Sequence, residues 1–108
     1  MKAVYFQRGE ALGYTPTEDT KAGQVVALGT RIGVAASDIP ANELGNVHVV
    51  GVFSMTKAEG EELAQGAAVY YDSATEAITA TADGNTPAGY AASTAAATAA
   101  TVMVKLLG

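Results

Sequence analysis

Few side chains in this sequence could do covalent chemistry, and their neighbours decide which of them could act. His48 is the one histidine. It lies inside the run Val47-His48-Val49-Val50 and, in a continuous strand, shares a face with Val50 and Val52. No nucleophile or orienting carboxylate holds a motif position near it. A partly buried or sheet-surface histidine with a backbone partner explains it better than a general base. Glu59, Glu61 and Glu62 are the densest carboxylates, but they surround Gly60 and read as a solvated polar turn. A metal site would need more histidine or alternating oxygen ligands. Asp83-Gly84-Asn85 has part of a calcium-loop pattern without its remaining ligands, and reads as a turn. No glycine is followed by Lys and then Ser or Thr, so the phosphate-binding loop is absent. Gly29-Thr30-Arg31-Ile32-Gly33 fits a tight hairpin. Ser37, Ser54, Ser73 and Ser93 stand in no nucleophile-elbow context. With no cysteine at all, thiol chemistry, thiolate zinc sites and disulfides drop out. The expectation is no enzyme, no catalytic residue, no cofactor and no metal.

What remains is surface chemistry. The aromatic side chains are Tyr5, Phe6, Tyr14, Phe53, Tyr70, Tyr71 and Tyr90. Neighbours in a strand point to opposite faces, so in the pairs Tyr5-Phe6 and Tyr70-Tyr71 one ring can fill a core while the other meets solvent or a partner. The candidate assembly residues are therefore Val4, Tyr5, Phe6, Arg8, Tyr70, Tyr71 and Tyr90. A core role for all these rings is the competing explanation.

Composition sets the frame for that surface. The 108 residues fit one β domain, 1–108, with an N-terminal strand or arm at 1–8. Apolar residues make up 49%, yet 23 of them are Ala, and Val, Ile, Leu and Phe together number only 22. Small side chains bury little area each, so an isolated chain should be marginal and association should add burial. Six basic residues against eleven acidic ones give a net charge of −5. That balance disfavours a nucleic-acid partner. No apolar run reaches the length of a membrane span, and the apolar stretch in Met1–Arg8 is too short for a signal peptide. The protein is expected to stay in the cytoplasm where it is made, with no membrane partner.

The elements that would position these residues are strands, broken by glycine about every ten residues. The pattern predicts strands at Ala3–Phe6, Ala11–Thr15, Gln24–Leu28 and Arg31–Ala36. A loop spans Asp38–Asn46, and a long strand runs from Val47 to Met55. Val69-Tyr70-Tyr71 enters a hairpin that returns as Ala77–Thr81, with Ile78 and Ala80 on one face and Thr79 and Thr81 on the other. Strands at Ala88–Ala92 and Val102–Leu106 complete the set. Thr56-Lys57-Ala58-Glu59 has capping-box spacing, but Gly60 and Gly66 limit it to a short turn or helical turn. Ala91–Ala100 holds no large apolar residue to dock a helix and reads as a loop. The fold class is all-β: a compact small β-barrel or β-sandwich with short hairpins and at most one short helical turn. Gly33-Val34-Ala35-Ala36-Ser37 is echoed by Gly89-Tyr90-Ala91-Ala92-Ser93. Ala22-Gly23-Gln24-Val25-Val26 is echoed by Gln65-Gly66-Ala67-Ala68-Val69, as if one unit occurred twice with an extra hairpin in the second.

Several blocks in order carry a family resemblance: Gly9-Glu10-Ala11-Leu12, Ala22-Gly23-Gln24-Val25-Val26, Gly33-Val34-Ala35-Ala36, Glu43-Leu44-Gly45 and Val50-Gly51-Val52-Phe53. Gly66-Ala67-Ala68-Val69-Tyr70-Tyr71-Asp72 and Gly84-Asn85-Thr86-Pro87-Ala88-Gly89-Tyr90-Ala91 continue it. Spanning nearly the whole chain, they resemble the small capsid cement, or head decoration, proteins of tailed bacteriophages and prophages. Ala97-Thr98-Ala99-Ala100 departs from the family pattern, where a Gly-Asp type turn is expected. Members are often labelled phage recombinases, a label that the missing phosphate loop and short length do not support here. The resemblance implies a structural protein that binds the outer surface of the assembled capsid and stabilises it. Its partners would be the major capsid protein and itself, as a homotrimer or, alternatively, a dimer. It would occupy the host cytoplasm during assembly and the virion capsid surface afterwards. A tail- or fibre-associated binding module is the alternative, and an enzyme or nucleic-acid factor is disfavoured by charge and missing motifs.

Overall fold

The computed structural model describes residues 1–107. Nine strands follow one another: β1 (Ala11–Tyr14), β2 (Val25–Leu28), β3 (Arg31–Ala35), β4 (Gly45–His48), β5 (Val50–Thr56), β6 (Ala68–Asp72), β7 (Ala77–Thr79), β8 (Thr86–Ala91) and β9 (Thr101–Leu107). They form two antiparallel sheets, ordered β1-β4-β3-β2 and β5-β9-β8-β6-β7. Among the described residues there is no helix, and so none long and apolar enough to cross a membrane. The expected all-β class holds, and of the two architectures left open the sandwich-like one is found rather than a closed barrel. Of the short turn or helical turn expected from Thr56–Glu59, the short turn is found, at Glu59 and Gly60: Thr56 ends β5, and the glycine-interrupted stretch after it cannot hold successive helical bonds.

Local chemistry explains the shortest connections. Leu28 pairs with Arg31 across a two-residue turn whose first central residue, Gly29, has φ 64. A hairpin this tight needs a left-handed residue there, and glycine supplies it without a Cβ clash. In the β6–β7 hairpin, Asp72 accepts a hydrogen bond from the Ala74 amide at 3.0 Å, an Asx turn that starts the loop.

Three expectations need correction. The run Val47–Met55 is not one strand. The Val49 amide donates to the Glu10 carbonyl, next to β1 of the first sheet, at 3.0 Å, and from Val50 onward the chain pairs with β9 in the second. One β-branched run thus serves both sheets, which a propensity pattern cannot show. Gly45 and Asn46, turn formers by type, begin β4, because the buried Ile39 side chain packs where a Gly45 Cβ would stand. The return strand stops at Thr79, and all three of its residues are buried instead of alternating.

The sequence echo is a structural repeat. The path β1-β4-β3-β2 is traced again by β5-β9-β8-β6, with β7 as the added hairpin strand. Val25 pairs with Val34, and Val34 with His48; Ala68 pairs with Tyr90, and Tyr90 with Lys105. The loops repeat as well. Thr20 and Ile39 exchange two backbone bonds of 2.9 and 2.7 Å, and Leu63 and Ala95 do the same at 2.9 and 2.8 Å. Ala22 N–H donates to Asp38 Oδ1 at 2.8 Å, and Gln65 N–H donates to Thr94 Oγ1 at 3.0 Å. Different side chains make the same tie in the two copies.

Alternation along β3 gives the first sheet two apolar faces. Ile32 and Val34 point into a core formed with Met55, Leu63, Val69, Tyr71, Ile78, Val102, Val104 and Leu106 of the second half. Val26 and Val47, which pair with Gly33 and Ala35, belong to a smaller cluster with Val49, against which Tyr14 and Leu28 pack. Within the second sheet, β8 crosses β9 so closely that a Cβ on Gly89 would collide with the Lys105 carbonyl oxygen, and Gly89 also has φ 135. Gly89→Ala should therefore cost more than about 4 kcal/mol. Gly84→Ala, at φ 76 with open space around it, should cost about 1–2 kcal/mol. Urea unfolding of the two variants measures the difference, and equal losses would refute the close-packing account.

Candidate functional site

His48, the one histidine, ends β4 half-buried, with its ring centroid 5.9 Å from that of Phe53 and the planes inclined at 33°. It does not share a face with Val50 and Val52, because the switch of sheet at Val49 turns them outward. His48 instead lines a cavity of about 530 Å³ between the sheets, together with Gln24, Val34, Phe53, Tyr71 and Glu76. Among the described residues no group of three or more His, Asp or Glu side chains could hold a metal ion. Burial, then the negative charges of Glu76 and Asp72, raise the Tyr71 phenol above its ordinary pKa. The buried Tyr71 thus serves as core.

The carboxylates after β5 are not all solvated. Glu61 accepts hydrogen bonds from Thr79 Oγ1 at 2.9 Å and from the Ala80 amide at 2.9 Å, tying its loop to the end of β7. Beside it, Lys57 is only 3% exposed, and its ammonium donates to the carbonyls of Ala58 (2.8 Å), Glu61 (2.6 Å) and Ala97 (3.2 Å). Three donors meet three acceptors, which is what a buried ammonium requires. Composition alone could not reveal this: two of the carbonyls come from the following turn, but the third comes from Ala97, forty residues away. The Asp83–Asn85 segment is the turn expected of it: Asn85 N–H donates to the Ala82 carbonyl at 3.1 Å and Asn85 Nδ2 to the Thr81 carbonyl at 2.9 Å.

Two surfaces remain. The first is the N-terminal arm, where the expected strand Ala3–Phe6 does not form because no strand lies alongside to take its backbone bonds. Val4, Tyr5 and Phe6 are 80–89% exposed. Arg8 pairs with Glu10 at 2.9 Å, fully at the surface, and Gln7 Nε2 donates to the Ala11 carbonyl at 3.4 Å. The second surface is the outward face of the second sheet. Tyr70 and Tyr90 are half-buried there, beside exposed Val50, Val52, Met103 and Leu107. Of the seven candidate assembly residues, six thus lie on these two surfaces and Tyr71 lies in the core. Val50, Val52, Met103 and Leu107 were not among the candidates. The signal for Met103 was present, as a large apolar side chain out of phase with Val102 and Val104.

Comparison with known families bears on what such surfaces do. A family model described as phage cement protein matches residues 6–106, which take in β1 to β8 and all of β9 but Leu107. The chain belongs to the phage cement protein family. No curated protein and no solved structure matches it. Family membership carries a structural, capsid-associated role in the phage particle. In a cement protein the polar ties just described are scaffold. Lys57→Met should leave three carbonyls without the buried ammonium that they share and cost about 3 kcal/mol, read as a lowered urea midpoint at unchanged slope. An unchanged midpoint would show that the ammonium contributes nothing. Tyr71 keeps its proton longer in the folded chain than in the unfolded one, so stability should fall as pH rises through about 10. Tyr71→Phe should flatten that fall in a series of unfolding curves, and an identical slope would exclude the residue as its source.

Proposed function

We propose that this chain adds to the outer surface of an assembled phage capsid and clamps neighbouring major capsid subunits as a small homo-oligomer, a trimer in the first instance. The family match over residues 6–106 carries this reading. The protein would stand free in the host cytoplasm during assembly and on the virion surface afterwards. The arm supports the reading physically. Its residues up to Arg8 carry Lys2 and Arg8 and no acid, and its apolar side chains find no cover on their own chain. A segment of alternating Ala3, Val4, Tyr5 and Phe6 next to an open sheet edge on the shell can add to it as a strand, gaining backbone bonds and side-chain burial together. In a symmetric oligomer several such contacts act at once, so weak individual contacts give durable attachment. Val4, Tyr5, Phe6 and Arg8 are the proposed shell contacts, and Tyr70 and Tyr90 lie on the face assigned to assembly. The test is co-sedimentation of the purified protein with capsids that lack it, before and after shell expansion. Saturable binding to expanded shells is expected, and deleting Met1–Arg8 should abolish it. No binding to either shell would overturn the proposal, and undiminished binding of the deletion variant would remove the arm from it.

A further inference from the structure

The internal repeat shows what covers each kind of sheet face. In the first sheet, Val25, Val34 and His48 stand side by side on what can be called the leading face. Their equivalents in the second sheet are Ala68, Tyr90 and Lys105. The opposite, trailing face of the second sheet carries Phe53, Met55 and Tyr71, whose equivalents in the first are Leu12, Tyr14 and Leu28. Within the chain the sheets are stacked leading face on trailing face. Val34 and Ile32 enter the core with Met55 and Tyr71, Phe53 packs against it, and His48 stands beside Phe53.

One face of each kind has no second sheet stacked on it. The leading face of the second sheet exposes Val52 at 47% and Met103 at 43%, with Val50 and Leu107 at its margin. On the trailing face of the first sheet Val26 and Val47 are already buried within the chain, while Leu12 is 40% exposed and Tyr14 and Leu28 are half-buried around them. The exposed apolar patch on the second sheet is of the kind that marks an association site, and Leu12, with the half-buried Tyr14 and Leu28 beside it, offers it an apolar seat.

We propose that a second copy of this chain covers it: the leading face of one copy's second sheet seats on the trailing face of the next copy's first sheet, repeating between chains the contact made within each. Lys105 stands where His48 stands, and Leu12 where Phe53 stands, so the aliphatic stem of Lys105 lies over Leu12 with its ammonium reaching solvent. The seat on the first sheet has no counterpart of Ile78, since β7 occurs only in the second half. The larger Tyr90, in the place of Val34, occupies that room. Such a head-to-tail contact uses different patches on the two partners and closes into a ring when its rotation allows. The inference deepens the self-association in the proposed function, and it rests on the repeat rather than on capsid attachment.

Sedimentation equilibrium of the full chain without capsids tests it, so a failure to bind shells has no bearing on the outcome. Wild type should form one closed oligomer. Val52→Lys and Leu12→Lys, each disabling one patch, should each fall to the mass of one chain. Mixed in equal amounts they should form a heterodimer and nothing larger, because one intact patch of each kind remains. Since the chain has no cysteine, the double variant Leu12→Cys, Lys105→Cys offers a second reading should either lysine variant fail to fold. Under mild oxidation it should link chain to chain, whereas Lys105→Cys alone should not. A monomeric wild type, an unaltered Val52→Lys oligomer, a mixture that stays monomeric, or linkage through Lys105→Cys alone would each overturn the proposal.

Discussion

The structure depends on the burial of Ile32 and Val34, two side chains of the first sheet, within the core of the second. Neither sheet has bulk enough to cover itself, because alanine supplies so much of the apolar content and buries so little area per residue. Stacking the repeat on itself lets β3 serve both clusters, Ile32 and Val34 on one side and the Gly33–Ala35 side against Val26 and Val47 on the other. The sheet switch at Val49 follows from the same need. It delivers the chain directly from the centre of one sheet to the edge of the next, with no loop to order.

Where bulk is short, polar ties hold the loops. The buried Lys57 ammonium gathers three carbonyls, Glu61 binds the end of β7, and Asp38 and Thr94 fasten equivalent loops in the two halves. Among the described residues no buried side-chain nitrogen or oxygen lacks a partner. A satisfied buried polar group specifies one arrangement, since any other leaves it unpaired at high cost. This suits a phage cement protein, whose scaffold must present its surfaces in one geometry. The large apolar side chains left exposed are mostly on the arm and the outward face of the second sheet, with Leu12 and Leu44 exposed elsewhere.

Much of this was legible in the residues. Period-two patterning, β-branched residues and regular glycines identified an all-β chain, and the hairpins at Gly29 and at Asp72–Glu76 follow from turn chemistry that acts within a few residues. The repeat was visible as two short echoes. The absence of a phosphate loop and of cysteine is a property of the sequence itself, and the ordered blocks already resembled the cement family. The outward position of Met103 could also be read from its phase in β9.

Only the tertiary structure decided the rest, and for one physical reason: side-chain burial and strand pairing depend on neighbours that are remote in the chain. Propensity favoured a strand at Ala3–Phe6, yet a strand without a neighbour has nothing to take its hydrogen bonds. Val47–Met55 is uniformly β-prone, and the point where it leaves one sheet for the other is set by Glu10 and Leu107. Gly45 enters a strand because Ile39 lies on it. Tyr71 became core while Tyr70 stayed half-exposed because the second sheet offers its apolar interior to only one of the two faces. Sequence alone thus determined which segments could pair and what chemistry was missing. Packing determined which face of each segment was covered, and so which apolar residues remained free to meet a partner.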